Sequence, residues 1–110
     1  MKYTIHITQT AENDLRESLN YIEKVLFNPQ AATDLLDETE EQIHALASFP
    51  AKYPLVDDLF LNAQGIRFVP VKNYLVFYVV SESNKVIHIV RFLYARRNWL
   101  SILKKGLSID

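Results

Sequence analysis

Arginine and tyrosine side chains recur along two apolar, β-branched stretches in the second half of the chain. Arginine can hold a phosphate group through two parallel hydrogen bonds, and tyrosine can stack on an unpaired base. Because side chains alternate between the two faces of a strand, parity predicts that four of them share one face: Arg67, Tyr74, Tyr78 and Arg91. We therefore expect this face to be a working surface for an anionic partner.

The opposite face of the predicted sheet should lie under helices. It carries Phe68, Leu75, Phe77, Val79, Val90 and Phe92. Two turns set the register, a two-residue turn at Lys72-Asn73 and a four-residue loop at 81–84. They predict the cross-strand pairs Val71–Tyr74, Arg67–Tyr78, Val80–Lys85 and Arg91–Tyr74. A slip of one residue in either turn would reverse the two faces.

An acidic helical half precedes these strands. The chain opens with an edge-like strand over residues 1–8, and a helical stripe then ends near Phe27. Asn28-Pro29 starts a second helix, with Asn as the cap and Pro at the first helical position, and Pro50 stops it. The stripes are Ala11, Leu15, Leu19, Ile22 and Leu26, then Ala32, Leu36 (or Leu35), Thr39, Ile43 and Leu46. Their short connection predicts an antiparallel helical hairpin.

Residues 51–64 are predicted to form a loop that leads into three consecutive antiparallel strands. After the third strand, Trp99 and Leu103 form a short apolar stripe, and Gly106 suits the position just after a helix. The sequence therefore predicts a single α+β domain over residues 1–110. In it, an N-terminal strand precedes a helical hairpin packed on an antiparallel sheet, and a short C-terminal helix follows the three strands.

Composition argues against several kinds of site. Apolar residues make up 49% of the chain and charged residues 23%, which is ordinary for a soluble globular protein. No apolar run approaches the ~20 residues of a membrane span, no signal peptide opens the chain, and cysteine is absent, so we expect a cytoplasmic protein. The isolated His6, His44 and His88 lack metal-ligand spacing, and two glycines cannot build a phosphate-binding loop. We expect no cofactor and no metal.

Charge is divided unevenly between the halves of the chain. Residues 1–58 hold eleven acidic and four basic side chains, a net −7, whereas residues 59–110 hold two acidic and eight basic ones, a net +6. This asymmetry points either to an anionic partner on one face or to a solvated acidic helix beside a basic tail.

Several short motifs, in this order, resemble the RelE/ParE superfamily of bacterial type II toxin–antitoxin toxins. The resemblance covers nearly the whole chain. Its carriers are Ala11-x-x-Asp14-Leu15, Tyr21-Ile22, Phe49-Pro50, Asn73-Tyr74-Leu75-Val76-Phe77-Tyr78 and Tyr94-Ala95-Arg96-Arg97-Asn98. The resemblance implies a growth-inhibiting toxin that a cognate antitoxin neutralises. It also implies one of two targets, since RelE-type members cleave mRNA in the ribosomal A site and ParE-type members poison DNA gyrase.

The sequence departs from the nuclease pattern at Leu75, where RelE-type toxins usually carry arginine, and near Ile102, where the C-terminal tyrosine of RelE falls. Arg96 is the best-matched basic residue, and Asp57 lies where some relatives place a catalytic glutamate. The candidate catalytic residues are Arg96, Arg67, Arg91, Asp57 and Tyr94. The candidate nucleic-acid-binding residues are Arg97, Lys72, Tyr74, Tyr78 and Lys104.

Metal-free RNA cleavage needs a base for the 2′-hydroxyl, cations for the phosphorane charge and an acid for the leaving oxygen. Arginine serves only the second role. Asp57 or Asp58 supplies the base if burial raises its pKa, and is otherwise an exposed loop carboxylate. His88 is expected on the helix-covered face, as a core or cross-strand histidine.

The clustered arginines and tyrosines favour a ribosome-dependent mRNA endonuclease, whose partners are the ribosome and mRNA. The alternatives are a ParE-type inhibitor of DNA gyrase, favoured by Leu75, or a degenerate member that only binds its antitoxin. In each case we expect the antitoxin to lie over the sheet face or to displace the C-terminal helix. Its acidic side chains would then meet Arg67, Arg91, Arg96 and Arg97.

Overall fold

A four-stranded mixed sheet with helices on both faces forms the protein, whose computed structural model describes residues 2–106. The strands lie in the order β1-β4-β3-β2. The elements are β1 (Thr4–Ile7), α1 (Gln9–Asn20), α2 (Pro29–Leu46), α3 (Leu59–Ala63), β2 (Arg67–Val71), β3 (Tyr74–Ser81), β4 (Val86–Tyr94) and α4 (Trp99–Lys104). A π-helical turn, Tyr21–Val25, extends α1. The predicted α+β architecture is confirmed.

The helical hairpin begins at two side-chain caps. Thr8 accepts a hydrogen bond from the Ala11 amide at 3.2 Å and donates one to the Ile89 carbonyl at 2.9 Å, so it joins α1 to β4. Asn28 caps α2 by accepting from the Ala31 amide at 3.1 Å, with proline at the first helical position. Both predicted helices are confirmed, and Leu35 rather than Leu36 is the buried member of the second stripe.

The first strand pairs in parallel with the last. β1 lies beside β4 with Ile5 opposite Ile87, which makes β1 an edge strand and the sheet mixed rather than wholly antiparallel. A parallel partner requires a long crossover, which the helical hairpin and the strands after it provide. The β2–β3 pairs follow the two-residue turn as predicted, with Arg67 opposite Tyr78.

The predicted register between β3 and β4 is wrong. Lys85 has a φ of 56° and belongs to the turn, so Val80 pairs with Ile87 instead of Lys85. A second shift follows between Phe77 and Tyr78, where Val90 is left without a partner, as in a β-bulge. Arg91 therefore lies opposite Phe77 rather than Tyr74, whose actual partner is Tyr94.

The expectation of an uncovered Arg/Tyr face is also wrong. The helical hairpin packs on that face. The face also carries the apolar side chains Val69, Val71 and Val76 beside Tyr78, and the hairpin buries them. The phenylalanine-rich face is covered as well. Leu61 of α3 and Leu103 of α4 pack there against Leu75, Phe77, Val90 and Leu93. Trp99 also packs on this face, with its ring centroid 5.3 Å from that of Phe77.

A short helix interrupts the segment that was expected to be a loop. Asp58 caps α3 by accepting from the Leu61 amide at 3.0 Å, and Leu61 is fully buried. Five residues give too little apolar periodicity for the sequence to indicate a helix. Among residues 2–106, no helix combines the length and apolar character that crossing a membrane requires.

Candidate functional site

A groove runs along one end of the sheet, where the tip of the helical hairpin approaches the start of β3 and the end of β4. It consists of two adjoining clefts of about 620 Å³ and about 330 Å³. Both clefts are lined by Tyr21, Tyr74 and Tyr94, and we call the whole feature the tyrosine groove. A recess of this size with aromatic walls is the usual form of a binding site in proteins.

The turn between β2 and β3 and the register between β3 and β4 together position two of the three tyrosines. Lys72 has a φ of 53° and closes the turn just before Tyr74, and the shifted β3–β4 register places Tyr74 directly opposite Tyr94. The Tyr74 ring stacks on Phe92 with centroids 4.8 Å apart, and the Tyr94 ring meets it edge-on at 5.4 Å. Burial raises the pKa of Tyr74 above its ordinary value of 10.0, which disfavours its phenolate.

The tip of the helical hairpin supplies an exposed apolar wall. Tyr21, Val25 and Leu26 are each more than half exposed, and Phe27 is 84% exposed with a φ of 53°. A bulky residue rarely adopts this left-handed conformation, and π-helical turns occur frequently at functional sites. We call Tyr21, Val25, Leu26 and Phe27 the apolar tip. Contiguous apolar exposure of this kind marks an interaction surface.

Basic side chains border the groove at the turn after β4. Arg97 lines the smaller cleft, Arg96 is exposed beside it, and neither forms an ion pair with any residue between 2 and 106. Lys72 lines the larger cleft with its ammonium 4.0 Å from the Glu38 carboxylate, an exposed and weak pair. The groove therefore offers cations at its rim.

An ion pair closes the floor of the smaller cleft. Arg91 donates to both carboxylate oxygens of Asp14, at 2.7 Å and 3.0 Å, and the Phe92 amide donates to the same group at 3.1 Å. The two side chains are only 19% and 12% exposed. Asp14 thus fastens α1 to the edge of β4 beyond the end of β1. The role of Asp14 was missed, although it stands in one of the motifs noted in the sequence.

Two other predicted site residues lie at the opposite end of the sheet. Arg67 donates to the Tyr53 carbonyl at 2.6 Å, and the Tyr78 hydroxyl donates to the Pro50 carbonyl at 2.8 Å. Tyr78 is fully buried, which raises its pKa and excludes it from stacking on a base. Both side chains hold the loop after α2 against the sheet.

The remaining predicted residues lie on or near the face covered by α3 and α4. Asp57 is exposed just before α3. Lys104 binds Asp58 at 2.8 Å, and this hydrogen bond, with the amide that Asp58 caps, holds the pKa of that carboxyl below its usual value. The ten candidates thus occupy three separate places. The tyrosine groove gathers Lys72, Tyr74, Tyr94 and Arg97, with Arg96 next to Arg97 in the exposed turn and Arg91 neutralised by Asp14.

The sequence model for the ParE toxin of the type II toxin–antitoxin system parDE matches residues 5–99. No functionally curated protein sequence matches the chain. Among solved structures, the chromosomal ParDE toxin–antitoxin system from P. aeruginosa gives a TM-score of 0.69 at 18% identity, covering 86% of this chain and 98% of that one. The toxin–antitoxin complex RelBE2 from Mycobacterium tuberculosis gives 0.60 at 17% identity, covering 86% and 99%. At these identities the structural likeness establishes the shared fold.

Proposed function

The chain belongs to the ParE toxin family of type II toxin–antitoxin systems, and from this premise we propose that it inhibits growth by binding its target rather than by cutting RNA. The observation that carries the proposal is the dispersal of the candidate catalytic groups. Arg91 is neutralised by Asp14, Arg67 holds a loop carbonyl, and Asp57 lies near α3 on another side. The target expected for a ParE-type toxin is DNA gyrase.

RNA cleavage would require a base, an acid and cations around a single phosphate. Within residues 2–106, the tyrosine groove is lined by the cations Lys72 and Arg97, with Arg96 adjacent in the chain, while its two carboxylates are Asp14, which is already paired, and Glu17. Burial raises the pKa of Tyr74, which makes its phenolate still less accessible as a base. These side chains suit the binding of a partner better than catalysis. We therefore favour the gyrase alternative over the ribosome-dependent endonuclease that the sequence alone favoured.

An assay that separates the two targets uses the purified chain in a DNA supercoiling reaction with gyrase and, in parallel, in an in vitro translation reaction. We expect supercoiling to be inhibited and primer extension to show intact mRNA. Codon-phased cuts in the mRNA would instead establish the ribonuclease. If neither reaction is affected while the antitoxin still binds, the chain is the degenerate member that only binds its antitoxin.

The basic turn can be tested by a double substitution, Arg96→Ala with Arg97→Ala. Because both side chains are exposed, we expect the unfolding free energy to change by no more than about 0.5 kcal/mol, whereas growth inhibition should be lost. Lys105→Ala, an exposed cation beyond α4, is the matched control and should stay toxic. Full toxicity in the double variant would remove the basic turn from the proposal.

The tyrosine groove is also the proposed site of the antitoxin. Both solved relatives come from toxin–antitoxin systems, and the groove combines the apolar tip with basic side chains. It therefore suits a segment carrying apolar anchors and acidic residues. This location replaces the sheet face expected from the sequence, which the helical hairpin covers.

Copurification with the product of the adjoining open reading frame tests this partner. Leu26→Asp in the apolar tip should weaken the complex by about 30-fold, the loss expected for an interface hot spot. Leu59→Asp is the matched control, because Leu59 is 93% exposed on α3, away from the groove. Equal affinities for the two variants would place the antitoxin elsewhere.

A further inference from the structure

Two histidines that are far apart in the sequence meet between β1 and β4. His6 and His88 are directly paired positions of the two parallel strands, and their Nδ1 atoms are 2.8 Å apart. The rings are perpendicular, with centroids 5.1 Å apart, and both residues are half-buried. The sequence shows them only as isolated histidines, because the crossover separates them by 82 positions.

The two nitrogens face each other at nearly the spacing that a metal ion would impose. Imidazole nitrogen is a preferred ligand of zinc, nickel and copper, with metal–nitrogen bonds of about 2.0–2.1 Å. Two such bonds at angles between about 90° and 109° place the nitrogens roughly 2.9–3.4 Å apart. If both rings turn so that their Nδ1 lone pairs point at a common atom beside the N···N line, and the shared proton is released, two metal bonds replace the hydrogen bond.

We propose that His6 and His88 form a two-histidine site for a divalent transition-metal ion of the zinc, nickel and copper class. Residues 2–106 contain no group of three or more metal-binding side chains, so water would complete the coordination. The ion would clamp the four-residue edge strand β1 onto β4. Because it binds only where the two strands are paired, it would stabilise the folded chain.

This site is distinct from the proposed target-binding surface. His88 lies opposite Val79, which packs with the α3 and α4 cluster, whereas the tyrosine groove is bounded by the helical hairpin. Variants of the histidines therefore leave Tyr74, Tyr94 and the apolar tip unchanged. The metal proposal does not depend on the function assigned to the groove.

Calorimetric titration of the full chain at pH 7.5 with copper, nickel and zinc chloride tests the site. We expect one ion per chain, with copper bound most tightly. His6→Ala or His88→Ala should weaken binding by about 100-fold or more, because two linked ligands bind far more tightly than one. His44→Ala is the matched control, since His44 is exposed on α2, and its affinity should equal that of the wild type.

Folding and ligand identity need separate readouts. His6→Gln and His88→Gln keep a polar side chain at each position, and circular dichroism checks that they fold before titration. Electron paramagnetic resonance of the copper-loaded wild type should show two imidazole nitrogens, and each folded variant should show at most one. Binding that survives unchanged in a folded single variant, or is absent at millimolar metal, would overturn the proposal.

Discussion

The two tyrosines of β3 that face the helical hairpin differ sharply in what surrounds them. Tyr78 is fully buried and donates to the Pro50 carbonyl, and Arg67 opposite it donates to the Tyr53 carbonyl. Four positions earlier, Tyr74 lines the groove beside Tyr94, and the arginines of the following turn are exposed. The same residue types thus hold the fold together at one end of the sheet and form a surface at the other.

Backbone carbonyls account for the difference. The loop after α2 lies over the Tyr78 end of the sheet and presents carbonyls that the tyrosine and arginine donors satisfy. The apolar tip of the hairpin lies near the other end, where its side chains are more than half exposed and where, within residues 2–106, neither the Tyr74 nor the Tyr94 hydroxyl donates to a carbonyl. A cluster of arginine and tyrosine in a sequence therefore indicates a functional surface only where nearby backbone carbonyls do not accept their hydrogen bonds.

We call the end of the sheet that the loop after α2 covers the closed end, and the end that carries the tyrosine groove the open end. The largest expected effect comes from removing the aromatic ring of Tyr78 at the closed end. Tyr78→Ala should lower the unfolding free energy by about 3–5 kcal/mol, since it removes a fully buried aromatic side chain. Tyr94→Ala at the open end should cost less, about 1–2 kcal/mol, because Tyr94 is 36% exposed and loses mainly its edge-on contact with Tyr74. Urea unfolding measures both. Similar costs for the two variants would abolish the distinction between the ends.

The next effect concerns the ion pair beneath the open end. Asp14→Ala leaves the Arg91 guanidinium and the Phe92 amide without their acceptor, and should cost about 2–3 kcal/mol. The estimate lies below that for a fully buried pair because both side chains keep some contact with water. Asp14→Asn can still accept from the amide and should lose less stability. If both variants unfold like the wild type, the ion pair does not fasten α1 to β4.

Much of the fold could be predicted from the sequence because the helical hairpin and the β2–β3 turn are determined locally. The β3–β4 register could not, because the left-handed Lys85 and the unpartnered Val90 each shift it without a sequence signal. The residues that line the tyrosine groove were named only in part. Tyr74, Tyr94 and Arg97 were named, but the apolar tip was treated only as a helix end, although adjacent Leu26 and Phe27 before a turn were a visible signal.

A third test compares how two arginine substitutions affect stability and growth inhibition. Arg67→Ala should cost about 1–2 kcal/mol, because it removes a charged hydrogen bond to the Tyr53 carbonyl. Arg96→Ala should leave stability within about 0.5 kcal/mol of the wild type. Growth inhibition should show the reverse pattern once expression levels are matched, with Arg96→Ala the weaker toxin. If one variant shows the larger loss in both stability and growth inhibition, the two ends of the sheet do not have the separate roles described here.

The smallest expected effect comes from the pair between Asp58 and Lys104, which differs from Asp14–Arg91 in that its cation is exposed. The Lys104 hydrogen bond lowers the pKa of Asp58 from its ordinary value of 3.8, so below that pH the unfolded chain binds more protons than the folded one. The stability from this charge is therefore complete above about pH 5 and is lost as the pH falls below about 4.

Asp58→Asn isolates that contribution, because asparagine still caps α3 but carries no charge. We expect the wild type to be slightly more stable at pH 7, and we expect this difference in unfolding free energy to shrink as the pH falls below 3.8. Added salt should also narrow it at pH 7, since an exposed lysine is screened by salt. If the difference in unfolding free energy between the two proteins stays constant with pH, it arises from the cap and not from the ion pair. Of the two ion pairs, Asp14–Arg91 would then be the one that contributes to stability.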